Sequence, residues 1–288
     1  MKQRILYIIL ITGLVSIYMA PEIHSEESKL MDMVNNIHWL GQATVKISVP
    51  GKTIYIDPYQ IKKTDLADII LITHSHSDHL SPEDIAKVSS DQTIIIAPGD
   101  CLEQIKNIAR DKTIISEPGL KKQLGNILIE AVPAYNVVKT NFHPRTNNWV
   151  GYVLTLNGIK IYHAGDTERI PEMKDFECDI ALLPLGQTYT MNSVKEAAEA
   201  AIDVKAKVAI PIHYGLYEGQ NQDAREFKAL LKDKIKVIIK ESKDYADFIG
   251  RIATLRDAVD SRLFTDIFNE TLNIAEIVGE WSSVNDKI

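Results

Sequence analysis

Apolar residues recur along this chain in short blocks broken by Gly, Pro, Asp and Asn, a rhythm of strands and turns rather than of long helices. The blocks Ala43–Val49, Thr53–Ile56, Ile69–Ile72, Thr93–Ile96, Thr113–Ile115, Asn126–Val132, Trp149–Leu156, Lys160–Tyr162, Ile180–Leu183, Val208–Ile212 and Lys236–Ile239 are expected to be strands. Helical spacing appears between some of them, over Pro82–Val88, Cys101–Ala109, Ser193–Ile202 and Ala224–Leu231. Ser81-Pro82-Glu83-Asp84 is a helix start, with Ser81 as N-cap and Pro82 at the first helical position. Dominant strands with irregularly placed helices predict an α/β (α+β) fold built as a two-sheet sandwich flanked by helices.

The two ends break this rhythm. Lys2 and Arg4 precede an apolar run from Ile5 to Ala20, followed by a polar stretch from Glu22 to Ser28, the layout of an export signal. The run falls short of the roughly 20 residues that comfortably span a bilayer. Export to the periplasm or the extracellular space is therefore expected, with a membrane anchor over residues 5–20 as the alternative. After Asp244, Tyr245, Phe248, Ile252, Leu255, Val259 and Leu263 follow helical spacing and predict a helical extension. An amphipathic cover packed on the domain is the expected role, and a dimer contact or a membrane-surface role is the alternative. The expected division is residues 1–25, a domain over 34–242, and the extension over 243–288.

Composition then bounds the class. With 288 residues and 45% of them hydrophobic, the chain can bury one substantial α/β core. A net charge of -7 without an obvious basic stripe argues against nucleic acid as partner. Cys101 and Cys178 have no zinc-ligand partners at short spacing and read as structural.

Chemistry concentrates in Thr73-His74-Ser75-His76-Ser77-Asp78-His79, which holds three of the eight histidines directly behind the apolar run Ile69–Ile72. In an extended segment residues two apart face the same way, so His74, His76 and Asp78 are expected to converge while His79 turns to the opposite side. Imidazoles with carboxylates suit Zn2+, Fe2+ or Mn2+ better than Ca2+.

This motif resembles the signature of the metallo-β-lactamase-fold hydrolases. The resemblance is reinforced by Trp39-Leu40-Gly41-Gln42-Ala43-Thr44, Ile56-Asp57-Pro58, His163-Ala164-Gly165-Asp166-Thr167 and Ile210-Pro211-Ile212-His213-Tyr214-Gly215. Within that superfamily the combination is similar to the branch holding ascorbate-6-phosphate lactonase and the phospholipase D that hydrolyses N-acylphosphatidylethanolamines. The resemblance implies a four-layer αββα sandwich with the metal site at one edge. It implies a second metal site made of Asp78, His79, Asp166 and His213, and a first made of His74, His76, Asp166 and one further histidine. Where relatives carry that histidine, this chain has Asn136, and His143 is the candidate replacement. Gln42 stands where many relatives have His. Asp57, Gln42 and His163 are expected behind the ligands, with Asp57 holding a ligand histidine. Tyr189 or Tyr214 is a candidate oxyanion donor.

Together these residues imply a metal-dependent hydrolase in which Asp78 orients the attacking water. Its bond is an ester, lactone or phosphodiester in a small molecule or lipid-derived substrate, with Zn2+ the first expectation and Mn2+ or Fe2+ the alternatives. An iron-dependent redox enzyme and a non-catalytic metal-binding protein are the competing readings, and a homo-oligomer is compatible with all three.

Overall fold

The computed structural model describes residues 26–62, 65–109 and 112–241. The expected export segment and the expected extension over 243–288 lie outside the described residues. Among the described residues no helix is long and apolar enough to cross a membrane.

The chain opens with a helix over residues 26–36, α1. Six strands then form the first sheet in chain order: β1 (Ile37–Gly41), β2 (Thr44–Val49), β3 (Lys52–Ile56), β4 (Ile69–Leu71), β5 (Ile94–Pro98) and β6 (Thr113–Ser116). β1 to β3 run antiparallel and β3 to β6 parallel. The second sheet has seven strands: β7 (Lys121–Leu124), β8 (Ile127–Pro133), β9 (Val150–Leu156), β10 (Ile159–His163), β11 (Ile180–Pro184), β12 (Val208–Ile212) and β13 (Lys236–Val237). It is antiparallel from β7 to β10 and parallel from β10 to β13. The helices are α2 (Pro82–Val88), α3 (Leu102–Ala109), α4 (Val194–Asp203) and α5 (Asn221–Leu231).

The alternation of side chains across each strand builds the layers. Ile54, Ile56, Ile69, Leu71 and Ile96 enter the core shared with the second sheet, while their neighbours Tyr55, Ile70, Ile72, Ile95 and Ala97 pack with Ile85, Val88 and Ile105 of α2 and α3. On the other side, Ala197 and Ala201 of α4 and Phe227 of α5 are buried in the cluster that holds β11 and β12. The result is helices, sheet, sheet, helices, and strands covered on both faces are apolar throughout, as in β4 and β12. Tyr152 of β9 ties the sheets together: its hydroxyl donates to Ile72 O at 2.8 Å and lies 2.8 Å from Ser116 Oγ. That clamp fixes Ile72, the residue between the end of β4 and the start of the histidine motif.

Expected strands and helices are present, with boundaries shifted by a residue or a few. Ser81 does cap α2, accepting from the Asp84 amide at 3.3 Å. Three elements lay outside the periodicity. β7, Lys-Lys-Gln-Leu, is an edge strand whose polar side chains reflect having a partner on one side only. β1 carries just two fully covered residues among its five. α1 begins inside the polar stretch that follows the apolar N-terminal run and buries only Met33 and Val34 completely.

Candidate metal centre

Parallel strands deliver the site at their carboxyl ends, where such sheets place ligands. β3 runs into Asp57, β4 into residues 73–79, β10 into Asp166, and β12 into His213. Gly165 makes the approach to Asp166 feasible: its φ is +63°, and a side chain there would meet Thr73 Cβ and Val150 O at 3.0 Å. Gln42, Asp57 and His213 hold φ values of 47°, 46° and 57°, a left-handed conformation uncommon for residues with a side chain. Three such residues converge here, consistent with backbone strain held at a functional site.

The histidine motif is not extended. The amides of His79 and Leu80 donate to His76 O at 3.0 and 2.8 Å, so the chain turns after His76. This corrects the alternation argument: the turn sends Asp78 to the side of His79 and leaves His74 and His76 together.

Two groups of potential ligand atoms result. His74, His76 and His143 form one, and Asp78, His79 and His213 the other, and His74, His79 and Asp166 lie close enough together to join the two. Asp166 stands between them. Its Oδ2 lies 3.4 Å from His143 Nε2 and 3.9 Å from His74 Nε2, whereas its Oδ1 lies 3.3 Å from His79 Nε2 and 3.1 Å from His213 Nε2. Asp78 Oδ2 is 3.5 Å from His79 Nε2 and 3.8 Å from His213 Nε2. His143, and not Asn136, completes the first group. Asn136 turns its amide nitrogen to the carbonyls of Lys139 and Tyr189, at 3.1 and 2.7 Å.

Behind four of the five imidazoles is a group that faces the other ring nitrogen, the arrangement that orients metal-binding histidines, whereas His76 Nδ1 lies 3.1 Å from His74 Nε2. His79 Nδ1 faces Asp57 Oδ2 at 2.8 Å and, against a carboxylate acceptor, carries the proton there. Thr73 Oγ1 donates to the same oxygen at 2.6 Å and lies 3.0 Å from His74 Nδ1, so Asp57 orients both histidines. His143 Nδ1 faces Tyr189 O at 3.2 Å. His213 Nδ1 lies 2.9 Å from Glu218 Oε1, a charge contact without hydrogen-bond alignment. Gln42 closes the edge of the second group, donating to Asp78 Oδ2 at 2.8 Å with the same nitrogen 2.9 Å from His213 Nε2. His163 is held between Ala43 O and the Gly165 amide at 2.8 and 3.1 Å, and burial pushes its pKa down.

Charge explains why this arrangement suits a cation. Burial opposes ionisation of Asp78 and Asp166, yet the neighbouring imidazoles hold both carboxyls well below the usual range. Burial likewise disfavours imidazolium at His79 and His213, but Asp166 and the other carboxylates around each raise both pKa values well above the ordinary imidazole value. His74 and His76 shift the opposite way, pushed down by burial and by adjacent imidazoles. Buried carboxylates demand positive charge, and a divalent cation supplies it while leaving the imidazoles neutral. Three buried atoms aimed into the cluster, His79 Nε2, His143 Nε2 and Asp166 Oδ1, have no hydrogen-bond partner. The donor set therefore fits a metal of the zinc, manganese or iron type.

The site opens on a cavity of about 360 Å³ lined by His76, Asp78, Phe142, Tyr189 and Tyr217, among others. A larger cavity of about 590 Å³ lies at the amino ends of β10 to β13 beside α1 and has no histidine in its lining. The chemistry selects the smaller one. Tyr189 reaches it through an exposed side chain, while Tyr214 is buried and stacks on Trp39 at 4.8 Å, a packing role.

Sequence reasoning missed Thr73, Trp149, Glu168 and Glu218. Trp149 packs its ring 4.8 Å from both His74 and His76. Glu168 accepts from the amides of Val137, Val138 and Lys139, shaping the loop that brings in His143. Glu218 accepts from the amides of Thr188 and Tyr189 at 3.0 and 2.6 Å. The sequence signal for Glu218 was a carboxylate between glycines just past His213, a weak one.

The family model of the beta-lactamase superfamily domain matches residues 36–213. A UPF0173 metal-dependent hydrolase of Thermococcus kodakarensis is 34% identical over 217 residues, covering 70% of this chain and 95% of the relative. One from a Geobacillus strain is 32% identical, with coverage of 69% and 94%. A solved structure from Parabacteroides distasonis is 37% identical with a TM-score of 0.63, covering 71% of this chain and 92% of that one. Igni18, a metallo hydrolase of Ignicoccus hospitalis, shares the fold at a TM-score of 0.60 and 24% identity, covering 72% of this chain and 94% of its own. With matches of this extent over the segments that build the two imidazole groups, the chain belongs to the beta-lactamase superfamily, among the UPF0173 metal-dependent hydrolases.

Proposed function

We propose that this protein hydrolyses an ester, lactone or phosphodiester bond of a small-molecule or lipid-derived substrate, with zinc as the first choice of metal. The observation that carries the proposal is Asp166, whose two oxygens face two separate imidazole groups beside an open cavity. His74, His76, His143 and Asp166 would hold one ion, and Asp78, His79, His213 and Asp166 a second. Bound there, a divalent cation lowers the pKa of a coordinated water toward about 7 and polarises the substrate oxygen.

The remaining chemistry belongs to the chain. Asp78 is the least buried of the carboxylates in the cluster, with 21% of its side chain exposed, and it borders the cavity. It is placed to orient the attacking water and to accept its proton. Asp57 keeps the His79 proton on Nδ1, so that Nε2 presents its lone pair inward. Trp149 is buried and packs on His74 and His76, covering the first group on that side, and Phe142 lines the cavity. Export through the N-terminal segment is part of the proposal, and a lipid-derived substrate accords with it.

The test begins with elemental analysis of protein purified without added metal, followed by assays on aryl esters, lactones and phosphodiesters before and after chelation. Two equivalents of zinc, turnover lost on chelation and restored by zinc are the expected results, as is an Asp78→Asn variant that stays folded with kcat reduced by about 100-fold or more. Metal-loaded protein inactive on every class would overturn the proposal.

A further inference from the structure

The cavity beside the imidazole groups has walls of unlike chemistry. Asp78 and Asp166 border it, with Asp57 and Glu218 directly behind the histidines. Its mouth is aromatic. Phe142 and Tyr189 meet edge to face with ring centroids 5.0 Å apart, and Tyr217 is backed by Tyr59, with centroids 6.4 Å apart and the two hydroxyls hydrogen-bonded. Val137, Val138 and Leu216, on the loops that carry these rings or lead to them, are exposed apolar side chains.

No lysine or arginine lines this cavity among the described residues. Cations on the same loop point elsewhere: Lys139 Nζ donates to Gln187 O and Met191 O at 3.1 and 3.2 Å, and the largely exposed Arg145 pairs with Glu172 at 2.8 Å. Sites that handle phosphoryl groups balance the charge of the phosphoryl oxygens in the transition state with metals, often joined by Arg or Lys. Two divalent cations held here would already be matched in charge by the four carboxylates Asp57, Asp78, Asp166 and Glu218. An anionic phosphodiester would enter with nothing left to balance it, whereas a neutral carbonyl adds no charge until its oxyanion develops. The aromatic mouth adds apolar contact area that a headgroup phosphate would not use.

We infer that the substrate is an uncharged carboxylic ester or lactone whose apolar substituent lies against Phe142, Tyr189 and Tyr217, an inference that rests on the hydrolase reading above. In the reaction, water oxygen bonds to the acyl carbon, the acyl C–O bond breaks, and the proton lost by water passes to the departing alkoxide. Products are a carboxylic acid and an alcohol, or a hydroxy acid from a lactone.

The experiment uses the full chain with its metal. Turnover of p-nitrophenyl acetate, butyrate and hexanoate is compared with that of bis(p-nitrophenyl) phosphate, for the parent and for Tyr217→Ala. Tyr217 is 52% exposed, so the variant is expected to fold. A fully buried methylene is worth roughly fourfold, so hexanoate should exceed acetate in kcat/KM by about tenfold or more, and the phosphodiester should fall below every ester. In Tyr217→Ala the hexanoate-to-acetate ratio should shrink severalfold. Faster phosphodiester turnover, or a flat ester series that the variant leaves unchanged, overturns the inference. Calorimetric titration with a hexyl trifluoromethyl ketone and with diphenyl phosphate separates this inference from the hydrolase reading. If no probe is turned over, the hydrolase reading falls. The ligand class then stands on tighter ketone binding that weakens in Tyr217→Ala, and fails if diphenyl phosphate binds more tightly.

Discussion

Asp57 makes no contact with the cavity, yet the geometry makes it the residue on which both metal groups depend. Its side chain is fully buried. Oδ1 accepts from the Thr73 amide at 2.8 Å, and Oδ2 accepts from Thr73 Oγ1 at 2.6 Å and from His79 Nδ1 at 2.8 Å. An Asp57→Asn variant keeps the volume and tolerates the left-handed φ of 46°, so the perturbation is confined to hydrogen bonding. The amide has two orientations and neither serves all three donors. With its oxygen toward the Thr73 amide, its N–H groups face His79 Nδ1–H, and the histidine loses a bond to a charged acceptor worth roughly 1.5–3 kcal/mol. With its oxygen toward His79, an N–H faces the Thr73 amide, and two buried donors oppose each other at a cost of about 1–3 kcal/mol. Metal affinity should fall by about 10- to 100-fold in the first case. Folding stability should fall in the second, by roughly 3–10 °C in melting temperature for a domain of this size. The measurement is competition against a chromogenic chelator, with thermal unfolding recorded on metal-free and metal-loaded protein. A variant that binds metal as tightly as the parent and melts at the same temperature would refute the reasoning, because the amide would then serve all three donors as well as the carboxylate does.

The two histidine groups make separate predictions. His143→Ala should lower metal content toward one equivalent, while Asn136→Ala, whose parent side chain bonds only backbone carbonyls, should retain two with weaker affinity; elemental analysis distinguishes them. Gly186→Ala places a Cβ 1.7 Å from Glu218 Cδ, so Glu218 must leave its bonds to Thr188 and Tyr189; a loss of about 1–3 kcal/mol is expected from denaturant unfolding. Burial pushes the Cys178 thiol up to about 12 and the Cys101 thiol higher still, so both stay protonated at pH 8. Neither should react with a thiol reagent until the protein is unfolded.

Much of the architecture was legible because strands covered on both faces leave uninterrupted apolar runs. β4, β11 and β12 announce themselves in this way, and Ser81-Pro82 marks α2 without help from its surroundings. β7 was illegible for the converse reason: an edge strand with polar side chains carries no periodic signal. The histidine motif named its ligands by type, but alternation misplaced Asp78, because the turn stabilised by the His76 carbonyl is set by tertiary contacts and not by the local sequence. His143 shows the limit most clearly. It stands in a Pro-flanked loop with no strand before it, and what brings it to Asp166 is the carboxylate of Glu168, which gathers three successive amides of that loop from across the chain. Such a residue becomes visible as a ligand only when the loop it rides on has a reason to fold back.

That reason also links the two halves of the site. The amide of Tyr189 donates to Glu218, the carboxylate beside His213, while its carbonyl faces His143 Nδ1 and accepts from Asn136. One peptide segment thus touches both groups, His143 directly and His213 through the Glu218 carboxylate, and its side chain forms part of the cavity mouth. A ligand that presses on the Tyr189 ring acts on the same loop that touches both groups, and ions drawn to His143 and His213 act on that loop from within. Substrate and metal affinity should therefore be coupled, by the reciprocity that any shared element imposes. Metal removal is expected to weaken binding of an apolar carbonyl inhibitor, and saturation with that inhibitor to tighten metal by the same factor; equal metal affinities with and without inhibitor would show that the Tyr189 loop transmits nothing.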